Sequence, residues 1–418
     1  VTRVVAGTLE LNDIASATEM VPGDVVISPG ATLRLGEDSQ IANTANITVE
    51  GTVSGATAIN GLLDLNDFSE VIGSLTLRGG GDVTTGTGTL SVWGDITASA
   101  SGSLLRQNSA SISGNLSLGS SMRTFEVADN SYVMYDLRLQ AVVSGSGAAG
   151  ITKTGAGTMT VEGANTYPGL TILSGGRLHA ANGTCFGAST VGTVLDGGLL
   201  VITGPVIANE SLTNISASSI FEAGGQVTST WSSNVVLNAD LQVSVLTNAT
   251  LILGGVISGT NGIIKSGPGT LRFSGDAANT YDGLTIVNEG ELDLDKADYT
   301  DAIPYRSRGL VIGDGSGVDT VKHLNDHQIW SVFTPVRINS SGVLDLNGHT
   351  DEAAPLTLDG GQITTGIGCI NLYGTVKVLT NGSKATINGN AYLDGSVVIT
   401  NAGRLASPDL EVNATISG

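Results

Sequence analysis

Short alternating segments, each closed by Gly, Asn or Asp, recur along the chain, as in "GTMTVEG", "GLLVITG", "ATLILGG" and "GTLRFSG". Alternation with period two places Met159 and Val161, or Leu271 and Phe273, on one face of a strand and Thr or Arg on the other. No stretch sustains a helical period. The pattern predicts an all-β chain of many short strands joined by tight turns.

These segments belong to a longer repeat. "GLLDLNDFSE" from Gly61 returns as "GVLDLNGHTDE" from Gly342, an offset of 281, and "GTGTLSVWGDIT" from Gly86 returns as "GIGCINLYGTVK" from Gly366. "DSQI" from Asp38 pairs with "DHQI" from Asp326, and "DLRLQAVVSG" from Asp136 with "DLEVNATISG" from Asp409. Residues 1–145 are thus expected to be rewritten as residues 284–418. Residues 146–283 between them carry two Lys-x-Gly-x-Gly-Thr units, "KTGAGTMTVEGANTYPG" from Lys153 and "KSGPGTLRFSGDAANTYDG" from Lys265. A sandwich has one core and does not repeat over such a distance. A parallel β-helix does, each coil stacking on the last at about 4.8 Å. Rungs of about 20–25 residues would make roughly 17–20 coils. The expectation is one continuous β-solenoid over residues 1–418.

Composition agrees and narrows the functions. Gly numbers 59, aromatic residues are only 4% and charged residues 13%, and mean hydropathy is +0.21, which argues against disorder. The net charge of −20, with no basic cluster, excludes nucleic acid as a partner. No apolar run reaches the roughly 18 residues of a spanning helix. The opening "VTRVVAGTLELND" lacks a signal-peptide pattern, so an export signal is expected to have been removed or to lie elsewhere. Cys185 and Cys369 could form one bridge at most, and Cys369 stands where the other copy has Thr89.

The stretches "GITKTGAGTMTVEGANTYPGLTILSGGRLHA" and "GIIKSGPGTLRFSGDAANTYDGLTIVNEGELDL" resemble the autotransporter-associated β-strand repeat of bacterial surface proteins, also called the passenger-associated transport repeat. The resemblance implies a right-handed parallel β-helix, secretion, and an extracellular or cell-surface location. Its motif residues fall on Lys153, Gly155, Gly157, Thr158, Asn165, Tyr167 and Gly169, and again on Lys265, Gly267, Gly269, Thr270, Asn279, Tyr281 and Gly283. Physics assigns them structural work: glycines at corners, Asn and Thr bonding local backbone, and Tyr supplying apolar bulk. Lys153 and Lys265 read as exposed rung charges or as covers for a sheet edge.

Enzyme signatures are missing, with no Gly-x-Ser-x-Gly, His-Glu-x-x-His, Cys-x-x-Cys or Walker loop, and no catalytic, cofactor or metal residue is assigned. His323 and His327 have i, i+4 spacing, but no helix is indicated and a solvated loop is the simpler reading. Asp293 with Asp295, and Asp351 with Glu352, are carboxylate pairs of the kind glycosidases use. Alternation puts the first pair on the polar face, as a solvated ladder. The expected function is a secreted, non-enzymatic structural protein: a rod, stalk or filament that stacks on itself head to tail, with extracellular polysaccharide or other cells as further partners. The alternative is a glycan-binding module, for which exposed Trp93, Trp231 or Trp330 would serve. Trp93 aligns with Tyr373, which points to a packing position. A polysaccharide lyase or hydrolase is the remaining reading.

Overall fold

The computed structural model describes residues 1–13, 19–54, 57–100, 108–131, 133–305, 307–329, 333–379, 383–401 and 409–418. Among these there is no α-helix, and parallel strands stack as a β-solenoid of about 18 turns, as the alternating segments predict. The chain divides into two units, Val1–Val201 and Ile202–Gly418.

Each unit is built from columns of in-register side chains. In the first unit one inward column runs Val25, Ile47, Leu75, Ile96, Phe125, Lys153, Leu173 and Leu195, each paired with the next through parallel strands. In the second unit the column Phe221, Val243, Lys265, Val287, Ile312, Ile338, Leu358 and Val378 is formed in the same way. All sixteen side chains are 0–1% exposed. Thr and Ser at the intervening positions point outward and are half-buried, for example Thr152 and Ser266. Parity thus decides facing, because a one-residue slip would turn a strand inside out. Truncating an inward Leu such as Leu33 should cost about 2–5 kcal/mol, since neighbouring turns cannot collapse into the gap.

A local departure interrupts the parallel stack. Strand Ile47–Ser54 continues past its rung and pairs antiparallel with Thr57–Asn60. On the outer faces, arginines reach acids one turn on: Arg34 to Asp64, Arg138 to Glu162, Arg272 to Asp293 and Arg337 to Asp359, at 2.5–2.9 Å. With their arginines a third or more exposed, such pairs contribute about 0–1 kcal/mol each.

The interior also holds polar locks. Glu70, 1% exposed, accepts hydrogen bonds from the backbone N–H groups of Gln40 (2.7 Å), Ile41 (3.0 Å) and Val71 (3.0 Å). Asp351 accepts the same three kinds of bond, from Gln328 (2.8 Å), Ile329 (3.0 Å) and Glu352 (2.7 Å). Gln40 and Gln328 are themselves buried and return their amides to carbonyls of the preceding turn, Asp13 and Lys296 respectively. Each acid therefore closes a corner whose N–H groups have no strand partner.

Burial pushes the Glu70 carboxyl up to about 7, against the pull of its three N–H donors. An acid whose folded pKa lies above its ordinary 4.5 holds more protons folded than unfolded between those values, so its contribution to stability is lost as pH rises through 7. We predict that the advantage of the native chain over Glu70→Gln in urea midpoint shrinks between pH 4.5 and 7. A constant difference across that range would show that Glu70 titrates as an ordinary carboxylate.

Candidate functional site

The motif lysines lie inside the solenoid, which overturns their expected placement on the surface or at a sheet edge. Lys153 and Lys265 occupy the apolar columns described above and are 0% exposed. The Lys153 ammonium donates to the carbonyls of Thr154 (2.8 Å), Gly155 (2.9 Å) and Gly175 (3.1 Å). Lys265 donates to Ser266 (3.0 Å), Gly267 (2.6 Å) and Glu289 (2.8 Å). Three donors meet three acceptors, so each ammonium is saturated. Two of the carbonyls belong to the corner just after the lysine, and the third lies one turn further on.

The glycines make that corner possible. Gly155 and Gly267 both hold φ = +76°, which turns the chain so that their carbonyls face the ammonium. At Gly157, Gly169, Gly269 and Gly283 the backbone of the preceding turn stands where a Cβ would go. Thr158 and Thr270, half-buried, begin the next strands, Thr158–Val161 and Thr270–Gly275.

The Asn-Thr-Tyr segments stitch three turns together. Asn165 Oδ1 accepts from Val143 N (2.8 Å) on the turn before, while its Nδ2 donates to Cys185 O (2.6 Å) on the turn after. Asn279 does the same with Ile257 N (2.9 Å) and Ala302 O (2.8 Å). Tyr167 and Tyr281 are 1% exposed, and their hydroxyls meet Thr171 Oγ1 (2.6 Å) and Thr285 Oγ1 (2.5 Å). These threonines are buried partners that the motif reading missed. The signal was present, since both stretches read Tyr-x-Gly-Leu-Thr.

Burial is the largest influence on both ammonium groups and draws each down to about 8; Asp136 partly restores Lys153, and Glu289, Asp319 and Glu291 partly restore Lys265. Lys296 is a third case, 0% exposed, donating to Gly255 O (3.0 Å) and drawn down to about 8 by burial.

The other candidates separate. Asp293 lies on the outer face as alternation predicts, but it is 2% exposed beneath Arg272, not solvated; Asp295 is half-buried beside the same arginine at 3.8 Å. Asp351 turns inward into its corner while Glu352 turns out, so the two do not face a common substrate. His323 ends strand Asp319–His323, is 0% exposed, and places Nε2 2.6 Å from Asp351 Oδ2, so the solvated-loop reading fails for it. His327 stays at a turn and stacks on Tyr299, with ring centres 4.4 Å apart. Cys369 begins strand Cys369–Val378, as expected. Trp231 is buried against Phe221, and Trp330 lies outside the described residues. Trp93 is 53% exposed, correcting the packing role inferred for it. Among the described residues, no three His, Cys, Asp or Glu side chains gather to hold a metal ion.

Residues 151–180 and 263–294, which enclose both buried lysines, match the passenger-associated-transport-repeat family. The chain carries two passenger-associated transport repeats. It is 30% identical over 177 residues to the adhesin BmaC autotransporter of Brucella suis biovar 1 (strain 1330), covering 42% of this chain and 4% of that protein. It is 24% identical over 428 aligned positions to the probable autotransporter YfaL of Escherichia coli (strain K12), covering 97% of this chain and 30% of that one. The chain therefore spans less than a third of the length of these relatives. No solved structure matches it.

Within each passenger-associated transport repeat the lysine should be a large single contributor to stability. Lys265→Met keeps the bulk but leaves three carbonyls without their donor, and should cost about 2–4 kcal/mol. A base whose folded pKa of about 8 lies below its ordinary 10.5 is bound to fewer protons folded than unfolded between those values. Its stability contribution accordingly grows as pH rises from 8 to 10.5. Urea midpoints of native and Lys265→Met chains should diverge over that interval; parallel curves would place the ammonium in contact with water.

Proposed function

We propose that this chain is a stretch of an autotransporter passenger, secreted or displayed at the bacterial surface, which acts as a non-enzymatic stalk or spacer and contributes to adhesion. The observation that carries this reading is that the side chains of both passenger-associated transport repeats are spent on the interior. The lysines and asparagines are buried and bonded to neighbouring turns, and the buried tyrosines bond threonines four residues on, so the repeats build rungs and present no reactive group. The similarity to a protein named as an adhesin supports the adhesive part.

The finer form of the proposal is a rod whose copies continue the β-ladder from one molecule to the next, through N–H and C=O groups that a neighbouring strand can pair. Sedimentation of the purified chain across micromolar concentrations, with electron microscopy of the same samples, tests it. Growth of elongated species with concentration is expected. A single monomeric species throughout would leave a stalk that does not polymerise, and a compact globular particle would remove the stalk as well.

A second reading, glycan binding, is favoured by Trp93. Its half-exposed indole opens onto a cleft of about 420 Å³ shared with Gly119, Ser120, Arg123 and Ser146. An aromatic face beside hydroxyl and guanidinium donors suits a sugar ring, whose apolar face stacks while its hydroxyls bond. On a glycan array the native chain should retain saccharides that Trp93→Ala releases, with the melting temperature unchanged. Equal retention by both proteins would assign any adhesion to another surface.

A further inference from the structure

A small cleft in the second unit is lined by Tyr299, Asp301, His327, Ile329 and Glu352 and has a volume of about 190 Å³. Ile329, 2% exposed, forms its apolar floor, and the stacked rings of Tyr299 and His327, 18° from parallel, form an aromatic wall. Asp301 and Glu352 supply carboxylates, and Glu352 Oε1 lies 3.9 Å from His327 Nδ1. Among the described residues, no Lys or Arg lines the cleft. Burial, reinforced by the charge of Asp351, pushes Asp301 up to about 6, which leaves it largely ionised at neutral pH.

Equivalent turns elsewhere in the chain carry other side chains at several of these positions. Asn279 anchors the Asp301 turn by donating its own N–H to Asp301 O (2.9 Å) and its amide to Ala302 O. Asn165 makes the same two bonds with Thr184 O (3.0 Å) and Cys185 O, so a threonine serves where the cleft has an aspartate. His327 holds φ = 51° immediately before Gln328; Ser39 holds φ = 56° immediately before Gln40. Glu352 gives its N–H to Asp351, and Val71 gives its N–H to Glu70. The fold thus makes equivalent turns with Thr, Ser and Val, none of which brings a charge or a ring. The His327 ring and the Glu352 carboxylate are thus additions to turns that the fold also makes without them, while the Asp301 carboxyl lines the cleft and also accepts a hydrogen bond from the Tyr305 backbone N–H.

From this arrangement we propose that the cleft binds a small organic ammonium ligand, the cationic nitrogen between Asp301 and Glu352 and the carbon body against Tyr299, His327 and Ile329. Carboxylates attract the charge, the ring faces add cation–π attraction, and the apolar floor takes the hydrocarbon. The net charge of −20 adds long-range attraction for a cation. The volume is below the roughly 300–1,000 Å³ of pockets that enclose drug-sized molecules, and it suits one sugar ring or a short alkyl chain. Two sources share that chemistry: an amino sugar, or the side chain of a lysine.

Isothermal titration calorimetry of the whole chain with glucosamine, N-acetylglucosamine and n-butylammonium tests the proposal. Saturable binding of glucosamine, of n-butylammonium, or of both is expected, and which one binds better tells an amino sugar from a lysine side chain. N-acetylglucosamine, the same ring without the charge, should bind about tenfold more weakly or not at all. Glu352→Gln and Tyr299→Ala, at a half-buried and an exposed position, should each weaken binding about tenfold with the melting curve unchanged. Equal binding of the charged and acetylated sugars, the absence of saturation for both amines, or indifference to both substitutions would overturn it. The comparison of sugars uses the unaltered chain and holds even if a variant misfolds.

Discussion

The narrow interior of a β-solenoid must be filled from opposing faces at every turn, yet its corners aim carbonyl groups into that same interior. Backbone acceptors there have no strand partner, and each left unsatisfied costs about 1–3 kcal/mol. Leu, Ile and Val fill the columns but cannot donate. The lysines of the transport repeats answer both needs with one side chain: four methylenes take a place in the column between Phe125 and Leu173, or between Val243 and Val287, and the ammonium serves the corner. Glu70 and Asp351 are the complementary solution at corners where N–H groups face inward.

Much of this was legible in the chain itself. The period-two segments predicted strands, and the stacked parallel architecture follows from their repetition. Parity even carried the lysine placement, since Ile151 and Lys153, like Ile263 and Lys265, fall on the same face of their strands. What hid it was the general rule that Lys is almost never fully buried, a rule that holds for unpaired charge and lapses where three carbonyls converge. The same blind spot covers His323, which shares its parity with buried Val321. Trp93 was misread in the opposite direction: it follows inward Val92 and so faces out, whatever its aromatic counterpart elsewhere. The cleft around Tyr299 had no linear signature, because its residues come from three successive turns and are brought together only by stacking.

The reach of the motif side chains bears on how such an array comes apart. Asn165 bonds the turn before it and the turn after it, and Lys153 reaches a carbonyl 22 residues further on. A turn held only by its ladder can peel away singly, at a cost set by its nearest neighbours. A turn bearing these residues cannot, because peeling it strands an ammonium and a carboxamide in the exposed interior of the next. The transport repeats therefore act as firebreaks: unravelling that starts at a loose rung spreads turn by turn until it meets a motif, where three turns must be given up at once.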